Sequence, residues 1–399
     1  MGDQGYMFEG AKPDPREKNA RERQAARDYM AAKRAEGRVI EIFPVRDRER
    51  RKVCANSLRL FCMTYFARAF YLELAPMHNK IIDELQEAIL RGGKIALAAP
   101  RGNGKTTITI AAIIWAILYG YAKFIVLICA GGDMARDRLT EIKGYLDDPD
   151  GLLSADFPEV CLPIMDLQGS AQRAGKQTTT WKRPDGREVR RRTNIVWKEK
   201  DITFANVPSV DDPEAAAPAA GSIIVSRGLD ATSIRGLLRG AARPDLVLLD
   251  DPQTDETARS EIQTDNLRNL IGQAVEGLAG PGMRLTIISL WTVIVAGDLA
   301  DRYTSDEEPN FFSLRFKAVP KMPDDMKMVE EYVARVRDAK IHGDKDARAA
   351  HAWYLLNQDR IESGGVVGWE QNFIRADVGD RSMSEAFRVA GRPAKESAA

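Results

Sequence analysis

Two short stretches of this 399-residue chain carry residue types that could do phosphate chemistry. Residues 99–106 read Ala-Pro-Arg-Gly-Asn-Gly-Lys-Thr, close to the Gly-x-x-x-x-Gly-Lys-Ser/Thr pattern of a phosphate-binding loop. Gly102 and Gly104 would let successive backbone N–H groups wrap phosphate oxygens. Lys105 would neutralise β- and γ-phosphates, Thr106 would offer its hydroxyl to Mg²⁺, and a helix starting at Lys105 would add its positive dipole end. The leading glycine of the pattern is replaced by Ala99. Residues 245–251 (Asp-Leu-Val-Leu-Leu-Asp-Asp) are an apolar run ending in paired acids. Asp250 is the expected Mg²⁺-side carboxylate, and Asp251 would orient or deprotonate the attacking water. An acid pair after a strand can also cap a helix, and the Lys105 turn strengthens the functional reading.

The elements that must position these residues are legible around them. Lys94–Pro100 reads as a short apolar strand, followed by a long apolar helix from about Lys105 to Tyr119. A second buried strand over Phe124–Ala130 ends at Gly131-Gly132 and leads into a helix through Leu146. This alternation predicts an α/β fold, a mostly parallel sheet covered by helices on both faces. Further strands are expected at Ile202–Ala205, Ser222–Ser226, Leu246–Asp250, Leu285–Ser289 and Phe312–Val319. One helix is expected from Asp255 to Leu278, striped by Leu267, Leu270, Ile271, Ala274, Val275 and Leu278. Before the first strand, residues 57–71 and an amphipathic helix over His78–Leu90 present apolar faces. Residues 168–200 read as an insertion, with a hairpin turning at Pro184–Gly186. Residues 1–15 read as disordered, and Arg16–Gly37 as a solvated helix. After Pro320, two charged helices and an irregular tail without strands are expected.

Composition sets broad limits. The 58 basic and 58 acidic residues balance, so there is no whole-molecule attraction to a polyanion, and any DNA contact must be local. The cluster Lys182, Arg183, Arg187, Arg190, Arg191 and Arg192 on the hairpin is the candidate patch. Four scattered cysteines and three histidines leave no zinc-type ligand spacing, and the cysteines read as reduced. No apolar run is long enough for a membrane span and no signal segment follows Met1, so a cytoplasmic protein is expected.

In combination, these residues resemble the ATPase domain of the large terminase subunit of tailed bacteriophages. That family's first motif often departs at its leading glycine and carries an arginine four residues before the lysine, here Arg101. The resemblance implies a P-loop NTPase of the ASCE type that binds ATP and Mg²⁺. Pro100, Arg101, Gly102, Asn103, Gly104, Lys105, Thr106 and Thr107 would cradle the phosphates, and Arg101 would stabilise the departing γ-phosphoryl group. His78 falls where the family places a residue near the adenine. Asp250-Asp251-Pro252-Gln253 resembles an Asp-Asp-Pro form of the second motif, with Glu256 as the alternative base to Asp251. Ser233-Ile234-Arg235-Gly236 resembles the segment before that motif. Leu285–Ser289, followed by Leu-Trp-Thr and Gly297-Asp298-Leu299, resembles the coupling motif, with Ser289 as first choice and Thr292 as second for the hydroxyl that senses the γ-phosphate.

The implied role is ATP-driven translocation of double-stranded DNA into a procapsid. Portal protein and small terminase subunit are the implied partners, and a ring homo-oligomer the implied active form. The resemblance covers roughly residues 55–320, leaving residues 1–55 as an N-terminal arm and residues 321–399 as a helical extension. The nuclease half of that family is not expected, because Asp377 and Asp380 lie in a polar tail. A P-loop helicase and a non-hydrolysing nucleotide-binding assembly module remain as alternatives.

Overall fold

The computed structural model describes residues 38–182, 186–230, 234–280, 282–305, 307–370, 374–375 and 380–381. The expected features over residues 1–37, and those at Arg183, Pro184, Ser233 and Asp377, lie outside these residues.

Eight strands form the main sheet: β2 (Lys94–Ala98), β3 (Phe124–Cys129), β6 (Val196–Trp197), β7 (Asp201–Thr203), β8 (Ile223–Gly228), β9 (Leu246–Asp250), β10 (Thr286–Trp291) and β11 (Phe312–Arg315). Their spatial order is β11-β2-β10-β9-β3-β8-β7-β6. The six strands from β11 to β8 run parallel, and β7 and β6 add an antiparallel edge. Strands covered on both faces are largely apolar, which is why β3, and β9 as far as Leu249, read as hydrophobic runs. Alternate side chains serve opposite layers. Ile125 and Leu127 join one core with the helices Leu58–Tyr65, Pro76–Arg91, Lys105–Leu118 and Gly132–Leu146. Phe124, Val126 and Ile128 join the other, with Ile271, Val275, Leu299 and Tyr303. Burying each such large side chain contributes about 1.5–3 kcal/mol. The Lys105–Leu118 helix is apolar nearly all round and correspondingly buried. This is an α/β fold, a mostly parallel sheet flanked by helices, with β10 between β2, which leads into the Gly-rich loop, and β9, which ends in the paired acids.

Several expectations need correction. The single helix over Asp255–Leu278 is broken into Asp255–Ala258 and Glu261–Leu270, followed by a wide turn at Ile271–Val275 and a tight one at Glu276–Leu278. The Ser260 hydroxyl accepts the Gln263 N–H and starts a second helix where periodicity alone suggested continuity. The hairpin strands β4 (Gln177–Lys182) and β5 (Glu188–Arg192) pair antiparallel as expected, but a further strand, β1 (Arg38–Glu41), lies parallel to β4. The hairpin arm ends at Arg192 because Asn194 takes a positive φ of 50° and turns the chain into the main sheet at Val196.

The N-terminal arm does not extend to residue 55 as a separate unit. The helix Arg48–Ala55 reads as charged but is docked: Arg50 Nε donates to Asp156 at 2.7 Å and Arg51 Nη2 to the buried Glu159 at 2.6 Å. The Trp115 indole donates to the Cys54 carbonyl at 2.9 Å. Beyond β11, the helices Met326–Ile341, Arg348–Leu356 and Gln358–Glu362 enclose a core of their own around Val329, Tyr332, Tyr354 and Ile361. The tail is not strand-free: Ile374–Arg375 pairs antiparallel with Asp380–Arg381. All four cysteines are buried and unpaired. Among the described residues no helix is long and apolar enough to cross a membrane.

Candidate nucleotide site

β2 delivers its chain end into a loop over residues 99–104 that closes on the Lys105–Leu118 helix. The loop turns through Gly102 at φ 80° and Gly104 at φ 67°, values that residues with a Cβ rarely adopt. Its inner wall is held by Asn103, a buried side chain whose Nδ2 donates to the Pro100 carbonyl at 3.3 Å. The Asn103 carbonyl lies 3.2 Å from His78 Nε2, and His78 Nδ1 accepts the Ala75 N–H at 2.9 Å. An Nδ1 that accepts cannot carry the proton, so His78 is the Nε2–H tautomer donating to the loop. Burial pushes the His78 pKa down, and its hydrogen bond to Asn103 opposes that. The ring meets Trp369 edge-on at 4.6 Å. His78 therefore holds the back of the loop, a location the sequence expectation of an adenine contact did not specify.

β9 brings the acids to the same place. Thr106 Oγ1 donates to Asp250 Oδ1 at 3.1 Å, and Lys105 Nζ lies 3.5 Å from Asp251 Oδ2. Lys105 also donates to Thr292 Oγ1 at 2.7 Å, and Thr292 lies 3.3 Å from Asp251 Oδ2. Asp251 sits in the left-handed region at φ 42°, pinned by its N–H to the Leu290 carbonyl at 3.0 Å. Its Oδ1 is buried without a hydrogen-bond partner, an arrangement that calls for one. Burial raises the Asp251 pKa; Lys105 opposes this and the Asp250 charge adds to it.

Among the described residues no cluster of three or more His, Cys, Asp or Glu could cage a metal ion. One hydroxyl and one carboxylate in contact, Thr106 and Asp250, fit Mg²⁺, which keeps waters and phosphate oxygens as its other ligands.

Other expected residues fall outside this group. Ser289 is fully buried inside β10, where its hydroxyl donates to the Ile95 carbonyl at 2.8 Å and accepts the Trp291 indole N–H at 2.9 Å. The residue that reaches Lys105 and Asp251 is Thr292, one position beyond the strand. Arg101 is two-thirds exposed and paired with Asp255 at 2.7 Å. Glu256 is exposed on the next turn. Arg190 and Arg192 lie on one face of the hairpin, Arg190 donating to Thr178 at 3.0 Å, while Arg191 lies on the other, 5.4 Å from the Trp181 ring centroid.

Two residues at the site were not foreseen. Arg138 donates from Nε to Asp250 Oδ2 at 2.6 Å; only the Gly131-Gly132 helix start hinted that this helix begins beside the acids. Gln253, two residues beyond Asp251, donates to Thr264 and accepts the Leu299 N–H.

No protein-family model matches the chain, and no curated protein matches it. Among solved structures the chain is similar to the large terminase ATPase domain of a Thermus phage, at 12% identity over 71% of this chain and 96% of that one, with a TM-score of 0.36. It is similar to the HK97 bacteriophage large terminase at 15% identity, covering 73% of this chain and 50% of that one, with a TM-score of 0.31. A large terminase from a thermophilic bacteriophage in complex with ADP gives 11% identity, 61% and 46% coverage, and a TM-score of 0.31. The chain thus spans about half the length of the latter two proteins.

Proposed function

We propose that this chain binds and hydrolyses ATP with Mg²⁺ and uses the cycle to translocate double-stranded DNA, as the ATPase part of a phage packaging motor. The observation that carries the chemical half is the convergence of Lys105 and Thr106 on Asp251 and Asp250, at 3.5 and 3.1 Å. Thr106 and Asp250 would hold the Mg²⁺, which would neutralise phosphate charge. Lys105, nearly buried, keeps its ammonium at the mouth of the loop, where phosphate oxygens compete with Thr292 for it. Asp251 has one oxygen near Lys105 and one unpartnered, and its raised pKa suits it to take a proton from the attacking water. Arg101 exchanges Asp255 for the transferred phosphoryl group. Exposed pairs of this kind contribute only about 0–1 kcal/mol, so the exchange is easy.

Thr292 touches both Lys105 and Asp251 and is joined through residues 294–298 to the helix that follows, which supports it as the residue that passes on the loss of phosphate. The hairpin face bearing Arg190 and Arg192 is the proposed DNA contact. Portal protein, a small terminase subunit and further copies in a ring complete the proposed assembly.

Phosphate release from ATP, measured with and without duplex DNA, tests this reading. Turnover stimulated by DNA and lost in Asp251→Asn supports it. Nucleotide binding without any turnover would favour a non-hydrolysing assembly module instead.

A further inference from the structure

Asp250 is almost fully buried, with 2% of its side chain exposed, and both of its oxygens are engaged. Oδ1 takes the Thr106 hydroxyl at 3.1 Å and Oδ2 takes Arg138 Nε at 2.6 Å. A guanidinium stays charged at any pH the protein survives, so Arg138 places a fixed positive charge against the carboxylate that would hold a divalent cation. We infer that Arg138 is a positioning residue that fixes the Asp250 carboxylate through one oxygen and, by its charge, weakens the grip of the other oxygen on a divalent cation. This rests on the proposed Mg²⁺ role of Asp250.

The backbone gives Arg138 little freedom to be elsewhere. Its helix, Gly132–Leu146, starts in close contact with the end of β8: a Cβ on Gly228 would lie 2.9 Å from the Gly132 nitrogen. The guanidinium is also held from its own helix, with Nη1 3.8 Å from Glu141 Oε2. Arg138 uses Nε on Asp250, which engages one carboxylate oxygen and leaves Oδ1 facing Thr106. Like charges repel strongly where water is scarce, so the arginine and a cation on the same carboxylate oppose each other. A cation held too tightly would slow release of a Mg²⁺-bound product, which gives such an opposing charge a use in a cycling enzyme.

The test is a titration of the full chain with Mn²⁺ alone, read by water-proton relaxation. Arg138→Gln keeps an N–H donor for Asp250 and removes the charge; Arg138→Met removes both; Arg138→Lys keeps the charge. Binding tightened about tenfold or more in Arg138→Gln and unchanged in Arg138→Lys is the expected result. Equal or weaker binding in Arg138→Gln, while Asp250→Asn lowers affinity, would overturn the role of Arg138 alone. No effect of Asp250→Asn would remove the cation site itself and the inference with it. Should Arg138→Gln not fold, Arg138→Met carries the same expectation of tighter binding and the same overturning result. A purely structural arginine would move the melting temperature in these variants but not the Mn²⁺ affinity.

Discussion

Gln253 Oε1 accepts the backbone N–H of Leu299 at 2.7 Å, while its Nε2 donates to Thr264 at 2.9 Å. This buried amide ties the segment just after the paired acids to the helix Leu299–Tyr303 and to the helix Glu261–Leu270. Leu299 follows Asp298, whose carboxylate accepts the N–H groups of Ile294, Val295 and Asp301 and fixes the loop after Thr292.

Gln253→Leu keeps the volume but leaves the Leu299 N–H and the Thr264 hydroxyl without these partners. The Thr264 hydroxyl keeps the Thr257 carbonyl as acceptor, so the Leu299 N–H is the group left orphaned; that costs about 1–3 kcal/mol, and urea unfolding will show a loss in that range. Nucleotide affinity is expected to change little, because Gln253 does not touch the loop, while DNA-stimulated turnover falls. Equal losses of affinity and turnover would show that Gln253 does not link the site to the following helix.

The proposed role of Asp251 as the base sets an expected pH dependence of turnover. A base must be ionised, and burial raises the Asp251 pKa, so activity falls as pH drops through a value above the ordinary aspartate range of about 3.9. Asp251→Asn should abolish most turnover and leave nucleotide binding. A pH–rate profile whose acid limb persists in Asp251→Asn would assign the base elsewhere, with exposed Glu256 as the first to examine.

His78 gives a stability test with a defined sign. Burial disfavours the charged imidazolium and lowers its folded pKa, with the hydrogen bond to the Asn103 carbonyl opposing this; protonation would also place a hydrogen on the Nδ1 that accepts from Ala75. Neutral His78 therefore stabilises the fold fully above the unfolded pKa of about 6.5, and that contribution is lost as pH falls below it. His78→Phe should remove this pH dependence and lower stability by about 1–3 kcal/mol, since the Ala75 N–H and the Asn103 carbonyl lose a partner. Denaturant midpoints measured between pH 5 and pH 8 provide the check.

What the sequence disclosed depended on how locally each feature is encoded. The β2–loop–helix unit and β9 are continuous in the chain, and parallel strands buried on both faces are largely apolar, so Ile95–Ala98 and Leu246–Leu249 are visible as runs. Choosing between Ser289 and Thr292 required knowing where β10 ends, because one step along a strand changes the face a side chain serves. Arg138 meets Asp250 across 112 residues of chain, and no spacing rule links a helix-borne arginine to a distant acid. The Arg48–Ala55 helix was misjudged because its charges find buried partners in Asp156 and Glu159, more than a hundred residues away. β1 was missed for a similar reason: four residues say little until the hairpin supplies a partner strand.

The hairpin face predicts a split among its three arginines. Arg190 and Arg192 share one face, and Arg191 lies on the opposite one beside Trp181. Neutralising Arg190 and Arg192 together should reduce the salt slope of duplex DNA binding by up to about two, as roughly 0.9 per lost phosphate contact. Arg191→Ala should leave the slope as it is. Affinity measured across a salt series decides between a DNA-facing surface and one that only keeps the edge strand soluble.

The central claim is that triphosphate oxygens are held at the Lys105 loop opposite Asp250 and Asp251. Titration of a fluorescent ATP analogue with Mg²⁺ into the full chain, compared between the wild type and Lys105→Ala, tests it most directly. Loss of one charge-assisted contact is worth about 1.5–3 kcal/mol, so affinity should fall roughly ten- to a hundredfold while the variant remains folded. Equal affinity in the two proteins would contradict the claim and place any nucleotide elsewhere.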